Sequence, residues 1–288
     1  MKILLTGVTG YIGNAVMHHL AKQGHDVHGL VRKEAVSISD SVHYHLLEND
    51  NIRDIVSAVK PDVVVHIASL FLAAHQYSDI EKLIESNITF PTKLLDAMDC
   101  AGVTHFINTG TSWQHYDSEP YNPVNLYAAT KQSFEDIIKY YVEAKGFSCL
   151  TLKIYDSYGP GDTRGKLVSL FDRLAENQES LDMSPGEQHI DLVHISDICN
   201  AYNIAIQMIM KQQPGYQANY GLHSNKSFSL KELAAIYERS NNCNIHINWG
   251  GREYRPREVM KPASNLERLP GWEPSVELSF GLNRVNRK

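Results

Sequence analysis

Apolar residues fall in short runs along the first half of the chain. Ile3 to Leu5, Asp26 to Val31, Val63 to Ile67, His105 to Asn108 and Cys149 to Ile154 are each apolar or β-branched and bounded by Gly, Pro or polar turns, so they predict strands. Segments with helical spacing separate them. The first spans about Tyr11 to Lys22 and stops before Gly24, a residue that takes the left-handed C-terminal conformation at low cost; Gly102 plays the same part after Ala101. From Ser78 to Cys100, Ile80, Leu83, Ile84, Leu94, Leu95 and Met98 recur at mostly helical spacing, and Pro91 implies a kink or a junction. Phe134, Ile137, Ile138, Tyr141 and Val142 draw a second stripe on the helix after Tyr127. Two readings of these stripes stand side by side: core packing, or pairing across a two-fold axis as a homodimer interface.

The alternation of strand and helix from Lys2 to about Ile154 predicts an α/β fold with a doubly wound parallel sheet. After Ile154 the alternation weakens, and Tyr158-Gly-Pro-Gly161, Pro185-Gly186, Pro214-Gly215 and Pro270-Gly271 punctuate shorter elements, so a second lobe begins there. No internal repeat or low-complexity tract is present.

Composition narrows the functional classes. The 288 residues carry 27 basic and 33 acidic side chains, a formal charge of −6 without a local basic concentration, which argues against a nucleic-acid partner. The longest apolar run, Val63 to Ala74, is broken by His66 and Ser69 and stops well short of the roughly 20 residues that cross a bilayer, so no membrane partner is expected. The strand-like Ile3 to Leu5 reaches Gly7 at once, leaving no room for a cleavable apolar leader, and a cytoplasmic location is expected. Cys100, Cys149, Cys199 and Cys243 stand more than forty residues apart, without a Cys-x-x-Cys pair. Among 14 histidines, His18-His19 and the pair His43 and His45 attract attention, but no familiar ligand spacing accompanies them and no metal is expected.

Gly7-Val8-Thr9-Gly10-Tyr11-Ile12-Gly13 lies directly after the first strand and opens the first helix, where backbone N–H groups and the helix dipole favour a pyrophosphate. With a second strand following, the whole fits one βαβ unit of about 30 residues, the size of a dinucleotide-binding fingerprint. An acid at the end of the second strand would accept a ribose hydroxyl and select NAD. Arg32 and Lys33 stand there instead, two cations able to pair with a 2′-phosphate, so NADPH is favoured over NADH. Glu34 is the counter-signal, returning an acid to the ribose if the strand ends one residue later.

Tyr127-Ala-Ala-Thr-Lys131 sets a phenol and an ammonium on one helix face, one turn apart. A free tyrosine, with pKa about 10, is a weak acid near neutrality, and a neighbouring cation favours the phenolate. Tyr127 is therefore the candidate proton-transfer residue, with Lys131 tuning it and able to hold the nicotinamide ribose.

Together the two motifs resemble the short-chain dehydrogenase/reductase superfamily, and the G-x-x-G-x-x-G spacing resembles its extended, nucleotide-sugar-modifying branch. The likeness runs through Val63 to Ser69, Asn87 in Glu-Ser-Asn-Ile, Tyr158-Gly-Pro-Gly161, Ile190-Asp191-Leu-Val-His-Ile-Ser-Asp197 with isoleucine where the family has arginine, and Leu269-Pro-Gly-Trp272-Glu-Pro274 with one residue inserted. It implies a Rossmann-type dinucleotide-binding domain over 1–157 with a returning segment near 188–205, and a smaller C-terminal substrate-binding lobe over 158–288. It also implies Asp50, Ala68, Ser69, Asn87 and Tyr155 at the cofactor. A Ser or Thr beyond the strand at 105–108 completes the family's triad; Thr109, Thr111 and Ser112 offer hydroxyls, alignment on Phe106-Ile107 selects Thr111, and Ser112 stays a close rival.

The family's dehydratases carry an Asp-Glu pair after that residue, where this chain has Ser112 and Trp113, which disfavours dehydration. The segments 110–116, 125–132 and 158–164 are similar to CDP-sugar 4-reductases of the abequose and paratose synthase type. That likeness implies NADPH-dependent reduction of a 4-keto deoxysugar, with Ser112, Trp113, Tyr127, Asp156, Arg164, Lys166 and Arg257 at the nucleotide-sugar substrate; Arg252 and Arg255 add further cations for a diphosphate. Epimerisation is the alternative reaction, and a non-catalytic NADPH-binding regulator the alternative class, disfavoured by the intact Tyr127 and Lys131.

Overall fold

A computed structural model describes residues 1–33 and 41–287. In chain order its regular elements are β1 (Lys2–Thr6), α1 (Tyr11–Lys22), β2 (Asp26–Val31), β3 (Val42–Leu46), α2 (Ile52–Val59), β4 (Val63–His66), α3 (Ile80–Ile84), α4 (Phe90–Ala101), β5 (His105–Thr111), α5 (Leu126–Lys145), β6 (Ser148–Ile154) and β7 (Asp156–Tyr158). There follow α6 (Leu167–Asn177), β8 (Ser180–Met183), β9 (His189–His194), α7 (Ile195–Ile209), β10 (Gln217–Leu222), β11 (Ser227–Ser229), α8 (Leu230–Asn241), β12 (His246–Trp249) and α9 (Leu278–Leu282). All five strands expected from the apolar runs form. β3 was not among them, because His43, Tyr44 and His45 interrupt its apolar pattern. Glu34 lies outside the described residues.

Seven strands make one parallel sheet in the order β10-β6-β5-β4-β1-β2-β3. Strand order reverses between β1 and β4, and in open parallel sheets the crevice beyond the strand C-termini at that point is where ligands bind. Within β1, Ile3 and Leu5 enter one core and Leu4 the other, the two-residue alternation of a strand covered on both faces. One core joins the sheet to α1 and α7 through Val16, Met17, Leu20, Ile198, Tyr202 and Ile206. The other joins it to α2, α4 and α5 through Ile55, Val56, Leu94, Leu95, Phe134 and Ile138. Most of the two apolar stripes is therefore packed in the chain's own core, although Ile84 remains exposed. Pro91 sits in the first turn of α4, just after a π-helical stretch over residues 85–89, so the junction it implied is present.

The chain returns to the sheet over more residues than 188–205: α7 continues to Ile209 and β10 pairs with β6. Trp272 fastens the closing segment to α7, donating its indole N–H to the Asp197 carbonyl at 2.8 Å, while the Asp197 carboxylate accepts from Ser275 and the Val276 N–H. The rest of the second half forms a three-stranded sheet β11-β9-β7 and a pair β12-β8 around a separate apolar cluster with α6 and α8. Among the described residues no helix is long and apolar enough to cross a membrane.

Candidate active site

The glycine loop is shaped by contacts only glycine permits. Gly7 takes φ +76°, and a Cβ there would lie 2.7 Å from the Ala68 backbone N; a Cβ on Gly13 would strike the Gly7 carbonyl. Gly10 closes the turn by donating its N–H to Gly7 at 2.9 Å and is the N-cap of α1. No acidic side chain occupies the first turn of α1, so its N-terminal field is not neutralised from within. Thr6 ties this loop to the end of β4: its hydroxyl accepts from the N–H groups of Ile67 and Ala68 at 3.1 and 3.0 Å and lies 2.9 Å from His66 Nδ1. Ala68 is thereby held flush against Gly7. Thr9 is exposed in the turn, while Tyr11 and Ile12 are half-buried and pack on the core. A close backbone cradle at a helix N-terminus fits a dinucleotide pyrophosphate.

Arg32 and Lys33 are exposed at the C-terminal end of β2, on the side where the adenosine ribose of such a ligand would lie. Asp50, in the loop after β3, pairs with Lys93 at 3.0 Å. Asn87 is fully buried and brackets two elements, accepting from the Leu70 N–H at 2.8 Å and donating to the Leu70 carbonyl and the Thr130 hydroxyl at 3.0 Å. The resemblance placed it at the cofactor; the structure gives its amide this bracing task.

Asn125 caps α5, accepting from the Ala128 N–H at 3.0 Å, and donates to the carbonyls of Leu72 and Ala73. The helix start is thus locked onto the loop after β4, the loop that carries Ser69 and Phe71. Phe71, from the same loop, stands edge-on to Tyr127 with ring centroids 5.0 Å apart and 5.5 Å from Trp113. Burial raises the Tyr127 phenol pKa, and the Ser69 hydrogen bond opposes the rise. The direction is opposite to the lowering expected from Lys131, because loss of solvent is the largest influence on this phenol. Lys131 is fully buried, and burial lowers its pKa to about 8, opposed by Glu135 one turn on and assisted by Lys153.

Thr111 ends β5 and is held from behind. Its N–H donates to Gln114 Oε1 at 3.0 Å, and Gln114 Nε2 donates to Glu135 at 2.8 Å and to Gln132 at 2.9 Å. Glu135 pairs in turn with Lys153 at 3.0 Å, their side chains only 6% and 2% exposed. The Thr111 hydroxyl accepts the Trp113 N–H at 3.3 Å. Thr109 is removed from contention, since its hydroxyl donates to the His66 carbonyl at 2.7 Å and lies 2.6 Å from Tyr202. Thr111 and Ser112 remain.

A cleft of about 300 Å³ lies beside this constellation, lined among others by Ser112, Trp113, Tyr155, Asp156, Arg255 and Arg257. Arg257 stacks on Tyr116 at 4.3 Å and donates to Asn122. Tyr155, expected at the cofactor, belongs instead to the cleft wall, where its phenol donates to the Ala263 carbonyl at 2.5 Å. Arg164 does not line the cleft: its guanidinium grips Asp162 through two 2.7 Å bonds, reaches Ser157, and stacks on Tyr11 at 4.2 Å, bolting the turn after β7 to the glycine loop. Lys166 lies 3.5 Å from Asp156 and over the Phe71 ring. Sequence reasoning missed Phe71 and Gln114. Phe71 was hidden in an apolar run that reads as core, and Gln114 entered only as part of the 110–116 likeness, without a role of its own.

A parallel sheet with this order, a glycine cradle at its switch point and a Tyr-x-x-x-Lys helix beside it define an extended short-chain dehydrogenase/reductase, an NAD(P)-dependent enzyme. Residues 3–221 match the NAD dependent epimerase/dehydratase family, and the chain belongs to it. Its curated relatives include the CDP-abequose synthase of Salmonella muenchen, 28% identical with 99% of this chain and 96% of that protein covered. The CDP-abequose synthase of Yersinia pseudotuberculosis is 29% identical, with 91% and 92% covered. Among solved structures, the UDP-glucose 4-epimerase of Thermotoga maritima with UDP-glucose superposes with a TM-score of 0.85 at 21% identity, covering 98% of this chain and 96% of that one.

Proposed function

We propose that this nucleotide-sugar-modifying enzyme reduces the 4-keto group of a CDP-activated deoxysugar with NADPH. The observation that carries the reading is Tyr127 in the first turn of α5, one turn before the buried Lys131 and edge-on to Phe71, whose ring also meets Trp113 of the cleft wall. Reduction starts from a protonated donor, whereas an epimerase cycle starts by removing a proton from the sugar hydroxyl. The full-length likeness to CDP-abequose synthases supports the substrate class. Ser112 and Trp113 support reduction over dehydration, since neither is an acid or base suited to eliminating water.

In this reading Gly7, Gly10 and Gly13 seat the pyrophosphate, Arg32 and Lys33 hold the 2′-phosphate, and Lys131 reaches the nicotinamide ribose. A reduced nicotinamide bound there supplies the hydride that turns the C4 ketone into a secondary alcohol. Tyr127 donates its proton to the ketone oxygen and regains one from solvent. Thr111, held by Gln114, orients that oxygen with its hydroxyl; Lys131 stabilises the phenolate left after transfer. Arg255 and Arg257 meet the diphosphate, and Phe71 and Trp113 exclude water from the sugar face.

The test mixes enzyme, NADPH and a CDP-4-keto-deoxysugar and follows the reduced-nicotinamide absorbance. Stoichiometric loss of NADPH with formation of the 4-hydroxy sugar is expected. Sugar inversion without net NADPH loss would replace the reading with epimerisation. Tyr127→Phe should lower kcat by about 10²–10⁴ while sugar binding is retained; full turnover in that variant would remove Tyr127 as donor.

A further inference from the structure

At the opposite end of the sheet from the glycine loop, β2 and β3 bring together a carboxylate and three imidazoles. His28 and His43 are direct neighbours in the parallel register, and Asp26 and His45 lie two residues along the same faces. Asp26 reaches both rings: one carboxylate oxygen lies 3.3 Å from His28 Nε2 and the other 3.2 Å from His43 Nε2. One ligand atom from each of the three residues falls within 4.8 Å of the others. Tetrahedral zinc, with bonds of about 2.0–2.1 Å to nitrogen and oxygen, needs neighbouring ligand atoms about 3.3 Å apart.

We propose that Asp26, His28 and His43 form a site for a divalent transition metal of the zinc type, with His45 orienting the His28 ring. Imidazole and carboxylate together suit zinc, cobalt and nickel rather than magnesium or calcium. His28 Nε2 is buried without a well-formed hydrogen bond, and its Nδ1 lies 2.8 Å from His45 Nε2. A His28 ligating through Nε2 carries its proton on Nδ1, facing an acceptor, which is the arrangement that fixes a metal-binding imidazole. Asp26 and His43 are 44% and 49% exposed, so an ion can enter and complete its coordination with water. The Lys2 ammonium is turned to the Val59 carbonyl at 3.0 Å. The ion would clip the edge strand β3 to β2 and take no part in the reaction.

The full-length protein, stripped with chelator, is titrated with Co²⁺ and the visible spectrum followed. One saturating ion per chain with tetrahedral-type absorption, displaced by Zn²⁺, is expected. His43→Gln and Asp26→Asn, both at exposed positions the fold tolerates, should abolish it, and His45→Gln should weaken it about 10–100-fold. His246→Gln, on β12 in the other lobe, should leave it unchanged. Zn²⁺ should raise the unfolding midpoint of the wild type and not of His43→Gln. Absence of a saturable spectrum, or one that survives both ligand substitutions, overturns the site.

Discussion

Replacing Lys131 by methionine separates what this residue costs the fold from what it gives the reaction. The side chain is 1% exposed, and its pKa falls from 10.5 to about 8, a value that already includes the attraction of Glu135. At about 1.4 kcal/mol per pKa unit, the charged form destabilises the folded chain by about 3 kcal/mol relative to an unshifted lysine. Methionine fills similar volume without charge, and Glu135 keeps Lys153 as its partner. The cofactor-free variant should therefore be more stable than the wild type at pH 7, by up to about 3 kcal/mol. The sign with pH follows from linkage. Between the folded value near 8 and the unfolded value near 10.5 the unfolded chain holds the extra proton, so wild-type stability from this group rises with pH. The variant's advantage should be full below pH 8, shrink by about 1.4 kcal/mol per unit above it, and vanish beyond 10.5. Urea unfolding of both proteins at pH 7, 8.5 and 9.5 measures it, titrations common to both proteins cancelling, while turnover falls throughout. A variant no more stable at pH 7, or an advantage that does not change with pH, would refute the argument.

Glu135→Gln should destabilise the fold by about 3–5 kcal/mol because it strands Lys153, and Glu135→Leu with Lys153→Met should recover most of the loss in urea unfolding. Activity should stay low in the double variant, since Gln114 loses the buried one of the two acceptors that align it behind Thr111. Gly13→Ala pushes a methyl into the Gly7 carbonyl, so NADPH binding measured by nicotinamide fluorescence should be lost, with about 1–3 kcal/mol of stability. Arg32→Ser should cut the preference for NADPH over NADH by about 10–100-fold in kcat/KM and leave the NADH value near wild type.

Much of this enzyme is written locally. The five apolar runs, the G-x-x-G-x-x-G loop and Tyr127 four residues before Lys131 are short-range patterns, whose meaning depends on the period of a strand or a helix and on what a Cβ would strike. They sufficed for the α/β class, the cofactor cradle and the proton-transfer pair as an expectation. Tertiary structure decided what depends on distant segments meeting. Strand β10 joins β6 from more than sixty residues away, and Arg164 turns from the cleft to Tyr11. Phe71 reaches the Tyr127 ring only because Asn125 ties the helix to its loop. Gln114, Glu135 and Lys153 make one buried chain although each belongs to a different element. The environment of Tyr127 belongs to the same class: spacing places an ammonium near a phenol, but the direction of the shift follows from how much water the folded chain removes from it. So does the meeting of Asp26, His28 and His43, because the i, i+2 spacing in β2 aligns only Asp26 with His28, and the register between two strands adds the His43 imidazole.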